Sequence, residues 1–157
     1  VTKKIRTTTL SVLIAFVLMV VTVSTVFAAP PMDVHIAVDE LIAGIGVDEP
    51  FTASGLAVDA GLICAAGMVQ DVSVATSGAP SAPFRIIQVL KRFSCGDGTF
   101  DVNMVVRLDT ATHYTTASWR VVSGTGAYAD MDGNGSLEGT PIVPGTSIHD
   151  DYYGSLH

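Results

Sequence analysis

Phe100-Asp101-Val102-Asn103-Met104-Val105-Val106-Arg107-Leu108-Asp109 is the stretch that decides the fold. Phe100, Val102, Met104, Val106 and Leu108 share one parity. Asp101, Asn103, Arg107 and Asp109 share the other, with Val105 the one exception. Successive side chains of an extended strand point to opposite faces, so this pattern spells a strand with one buried and one wet face.

Working outward, Cys95-Gly96-Asp97-Gly98 precedes this strand, and its Asp-Gly step is a hairpin signal. The run before the turn, Phe84 to Cys95, is strand-like but mixes polarity on both faces, which predicts a bulge in it. Downstream, His113 to Ser123 puts Ala117, Trp119 and Val121 on one face and Thr116, Ser118 and Arg120 on the other. Val34–Asp39, Phe51–Val58, Met68–Thr76, Gly135–Thr140 and Ile148–Leu156 bring the set to eight short strands separated by Gly, Pro, Asp and Ser clusters. Helical periodicity is nearly absent. The chain is therefore expected to be all-β, as an eight-stranded antiparallel barrel, the number that closes a small barrel around side chains or one small ligand. A two-sheet β-sandwich yields a similar string and is the alternative.

Lys3, Lys4 and Arg6 precede an apolar stretch from Leu10 to Phe27, which closes with Val26-Phe27-Ala28 ahead of Ala29-Pro30-Pro31. This is the layout of a secretory signal peptide over residues 1–28, cut after Ala28, with residues 29–32 a Pro-rich lead-in and 33–157 a single domain. An uncleaved membrane anchor is the competing reading of the same stretch. Val1 in place of an initiator Met reads as a GTG start codon translated literally, hence a bacterial gene. The expected location is secreted, extracellular or at the cell envelope.

Removing the signal leaves five basic residues against fifteen acidic ones, a net charge of −10. Arg85, Lys91, Arg92, Arg107 and Arg120 are scattered, so no basic patch is set to follow a phosphate backbone, and nucleic acid is not an expected partner. Cys64 and Cys95 are the two cysteines, and in an exported chain two thiols are expected to pair.

The segment from Trp119 to Gly135 holds a strand ending in Val121-Val122, then Gly124-Thr125-Gly126, the aromatic Tyr128, and Gly133-Asn134-Gly135 opening another strand. It resembles the allene oxide cyclase-like and dirigent-like β-barrels, and the same run is similar to that of small exported bacterial proteins of unassigned function. The resemblance covers Phe84 to Leu156 and implies a fold rather than an activity. It implies that the glycines let the chain cross between strands with positive φ, and that Tyr128 plugs the barrel end. No catalytic carboxylate of the plant cyclases matches a position in this chain.

Two other patterns overlap the segment. Gly124-Thr125-Gly126 lacks the Lys-Ser/Thr of a phosphate-binding loop. Asp130, Asp132, Asn134 and Glu138 are spaced like the ligands of a calcium loop, but Pro141 stands where the bidentate Glu should be. An acidic hairpin turn competes with weak calcium binding, and no other cofactor is signalled.

His35, His113, His149 and His157 are the candidate bases, and none lies in a nucleophile-elbow or His-Glu-x-x-His setting. If the last strand turns Asp150 and Tyr152 inward, they would share the lumen with His113 and with Arg92. Such an Asp–His–Tyr group in an apolar lumen suits proton-transfer isomerisation. The competing reading places them at solvated rims, with an interior lined like Phe100–Leu108 and holding no acid or base. Three expectations follow: a non-catalytic domain that holds an apolar small molecule or nothing, a cyclase or isomerase acting on an apolar small molecule, and a weakly calcium-binding cell-surface component.

Overall fold

The computed structural model describes residues 30–42 and 44–157, so the expected signal peptide at residues 1–28 lies outside the described residues. Eight strands run in chain order: β1 (Met32–Leu41), β2 (Glu49–Ser54), β3 (Ala66–Ser77), β4 (Phe84–Cys95), β5 (Gly98–Asp109), β6 (Thr115–Gly126), β7 (Gly133–Val143) and β8 (Ser147–Leu156). Each pairs antiparallel with its sequence neighbour, and β8 returns to β1 over ten residue pairs, Met32↔Leu156 to Leu41↔Ser147. The sheet is a closed barrel, not a sandwich.

Phe51–Val58 does not stay extended throughout. The strand ends at Ser54, and Leu56–Asp59 form a short helix, α1, after Gly55. A four-residue helix is too short to leave a periodic signature. The bulge expected in Phe84–Cys95 is also displaced. β4 is regular, whereas extra residues fall at Val72 on β3, Val122 on β6 and Ile142 on β7. The mixed polarity of β4 has another cause: Lys91 shares the inward face with Val89 and Phe93 and is itself buried.

Antiparallel order puts alternate connections at opposite ends. Residues 55–65 with α1, the Gly96-Asp97 turn and the 127–132 loop close one end, where Pro30 and His157 also lie. Residues 42, 44–48, 78–83, 110–114 and 144–146 ring the other.

The closed end is filled with aromatic rings. Phe93 stacks on its cross-strand partner Phe100 at 4.9 Å between centroids and meets Phe51 and Tyr152 edge-on. Tyr128, 3% exposed, lies edge-on to Phe100 and donates to Asp97 at 2.7 Å. Burial first, and then the Asp97 carboxylate, push the Tyr128 hydroxyl up to about 12. The Cys64–Cys95 disulfide ties the segment after α1 to the end of β4.

Of the four glycines around Tyr128, Gly126 alone has positive φ (+60°). The others serve close approach rather than the expected backbone freedom. A Cβ on Gly124 would fall on the Tyr128 carbonyl, and one on Gly135 would collide with the Tyr153 carbonyl and the Trp119 ring.

Candidate functional site

The open half of the barrel encloses a cavity of about 250 Å³ whose walls are mainly apolar: Val89 from β4, Met104 and Val106 from β5, Leu137 from β7 and Ile148 from β8. These follow from simple alternation, since each shares parity with a closed-end core residue of its strand. On β3 the extra residue Val72 resets the parity, so that Asp71 before it and Val74 after it both line the cavity.

The same parity rule carries charged residues inside. Glu40 continues Val34, Ile36 and Val38 on β1. Lys91 lies between Val89 and Phe93 on β4, and Asp150 lies between Ile148 and Tyr152 on β8. All three are at most 9% exposed and meet between the aromatic half and the open half, forming the cavity floor. The Lys91 ammonium contacts the Glu40 carboxylate and lies 2.7 Å from Asp71 Oδ1. Asp150 is a diagonal neighbour of Glu40 across the β1–β8 seam, where Val38 pairs with Asp150 and Glu40 with Ile148. Glu49 on β2 accepts from the Leu41 backbone N–H beside this group.

Proton affinities are divided among these groups. Burial favours a neutral Glu40, yet the Asp150 hydroxyl and the Lys91 charge hold it below the usual carboxylate range. Burial, followed by the hydrogen bond and charge of Glu40, pushes Asp150 up to about 9. Lys91 is pulled down by burial, but Glu40 and Asp71 outweigh that and raise it. At neutral pH the floor therefore carries a charged Lys91, a charged Glu40 and a protonated Asp150. Asp150 Oδ1 and the Tyr152 hydroxyl, both buried, have no hydrogen-bond partner, and burial holds Tyr152 well above its ordinary range.

His113 lines the rim of the same cavity, in the β5–β6 hairpin. It is the one non-glycine residue with positive φ (63°) among the described residues, and its N–H donates to the Asp109 carbonyl at 2.8 Å. Arg92 does not join the group. Its side chain is on the outer face, where Nε and Nη2 donate to Asp101 at 2.8 and 2.9 Å. Adjacent strand residues face opposite ways, so with Lys91 inside, Arg92 must be outside.

The remaining histidines are exterior. His35 meets Asp151 at 2.6 Å, and His149 lies between Asp39 and Asp151 on the outer face of the same seam. His157 lies 3.8 Å from Asp132.

The calcium-like residues are spread along a turn and a strand. Asp132 Oδ1 accepts from the Gly133 N–H at 2.7 Å, and β7 begins there. Glu138 stands six residues further along, about 20 Å at strand rise. Among the described residues no group of three or more His, Cys, Asp or Glu side chains is placed to hold a metal ion.

No family model, curated protein or solved structure matches the chain.

None of Glu40, Asp71 and Lys91 is among the candidate site residues read from the sequence. The signal was available for two of them: once Val38 and Phe93 are assigned inward, Glu40 and Lys91 must follow. The expectation of an interior without acid or base, drawn from Phe100–Leu108 alone, is thereby corrected. β5 is the apolar wall of a lumen whose other walls bring charge.

Proposed function

We propose that this protein is an exported, non-catalytic barrel that holds a small, mainly apolar molecule in the open half of its interior. One observation carries the reading: aromatic side chains fill one half, while the other half keeps a cavity of about 250 Å³ walled by Val, Leu, Ile and Met and open at one end. Such a cavity gains affinity by removing apolar ligand surface from water, and its few polar groups orient the ligand. The resemblance to allene oxide cyclase-like barrels supports the same architecture. The Cys64–Cys95 bridge fits an oxidising compartment, in keeping with a signal peptide over residues 1–28. Among the described residues no helix is long and apolar enough to cross a membrane.

The test uses the neutral fluorophore N-phenyl-1-naphthylamine, which brightens in apolar surroundings. Titration should saturate at one probe per chain. Leu108→Trp, which places an indole in the cavity from its β5 wall, should remove the signal while leaving far-UV circular dichroism unchanged. A fluorescence gain that never saturates, or that survives Leu108→Trp, would put the probe elsewhere and end the reading.

One observation favours a second reading. Asp150 and Glu40 place a proton donor beside a proton acceptor under an apolar chamber, which is the equipment for isomerising an apolar substrate. Glu40 would take a proton from the substrate and Asp150 would return one. Under that reading Asp150→Asn abolishes turnover with probe affinity retained, whereas a binding protein keeps its function.

A further inference from the structure

The floor of the cavity has an unequal charge count. Glu40 and Asp71 supply two carboxylates, and Lys91 supplies the single ammonium between them. Among the described residues no other Lys or Arg lines the cavity. The remaining acid at the floor, Asp150, is 6% exposed, and its Oδ1 has no hydrogen-bond partner. Uncompensated negative charge away from water is costly, and a buried acceptor without a donor adds to that cost. Burial first, and then the hydrogen bond and charge of Glu40, keep the proton on Asp150.

What this site lacks is a cation that can donate hydrogen bonds. We propose that the ligand class is an apolar molecule carrying one protonated amine, its ammonium seated at the floor against Asp150, Glu40 and Asp71 and its apolar part along Met104, Val106 and Ile148. The proposal rests on the binding reading above and specifies its ligand.

An ammonium group has three donors and no acceptor, which suits a floor made of carboxyl oxygens. A carboxylate ligand would meet the opposite situation. The only positive charge at the floor already has two carboxylate partners, so a second anion would add to the excess. A neutral alcohol can donate one hydrogen bond but leaves the charge unbalanced.

Three probes with one tail separate these cases: octylamine, 1-octanol and octanoate, each titrated calorimetrically into the intact disulfide-bonded protein at pH 7. Octylamine should bind at least tenfold more tightly than either of the others. Glu40→Gln, which removes one floor charge, should cut that preference to less than threefold, and Asp71→Asn should do the same if Glu40→Gln fails to fold. Octanol or octanoate binding as tightly as octylamine would overturn the amine assignment while leaving the cavity reading in place. If none of the three binds, and N-phenyl-1-naphthylamine also fails, both fall together.

Discussion

Lys91 holds its ammonium between Glu40 and Asp71 inside a barrel, where a lone charge would cost several kcal/mol. The geometry answers that cost with two carboxylates, and burial beside one of them, Glu40, leaves Asp150 holding its proton. The sign of the pH effect follows. Asp150 keeps its proton in the folded state up to about 9 but would lose it near 3.8 when unfolded. Between those values the unfolded chain binds fewer protons, so this residue lowers stability as pH rises. Asp150→Asn mimics the protonated carboxyl and removes the penalty. Thermal melts should show the variant more stable than the parent at pH 8, by about 1 kcal/mol or more, roughly 3–6 °C in Tm, with the difference vanishing near pH 4. A variant that is less stable than the parent at pH 8 would mean that Asp150 is ionised in the fold and paired with Lys91.

The strands themselves differ in how plainly they could be read. β5 alternates apolar and polar residues almost without error, because every inward position on it is apolar and its outer face is largely wet. β4 hides the same alternation because Lys91 occupies an inward position, and Ile86 and Leu90 stand on the outer face. The three extra residues at Val72, Val122 and Ile142 are invisible to a period-two reading, since each merely exchanges faces beyond it. Pairing of the cysteines was legible from their number and the expected export. The site was legible only in part: Asp150 and Tyr152 follow from the parity of β8, whereas the meeting of Glu40, Asp71 and Lys91 depends on a closure that brings β1 beside β8 and within reach of β4.

β2 is the weak element. It pairs with β1 over four residue pairs and with β3 over another four, against ten between β1 and β8. The disulfide bridges the connection that follows β2 to the end of β4, closing a loop with a sequence separation of 31. On the chain-entropy estimate it contributes roughly 3–4 kcal/mol. The double substitution Cys64→Ser, Cys95→Ser should lower stability by about that amount. Amide exchange should accelerate first in Glu49–Ser54 and α1, while β5 and β6 stay protected. Uniform acceleration across all eight strands would instead show that the bridge supports the barrel as one unit.

At the scale of the whole molecule, a chamber sealed at one end is also a depth gauge. Lys91 at the floor and Ile87 nearer the opening stand on one face of β4, four residues or about 13 Å apart along the strand. Barrel strands tilt by 35–45°, so the vertical depth is about 10 Å. In a homologous series of linear ligands with one fixed head group, each added methylene should tighten binding nearly fourfold, about 0.8 kcal/mol, for as long as it stays inside. Once the tail clears Ile42 and His113 at the rim, further carbons emerge into water and the gain should stop. A plot of log Kd against carbon number should therefore bend at one chain length, and Val74→Phe, which narrows the upper chamber, should move that bend to shorter tails. A straight line through butyl to dodecyl would mean that the tail leaves the barrel by some other route.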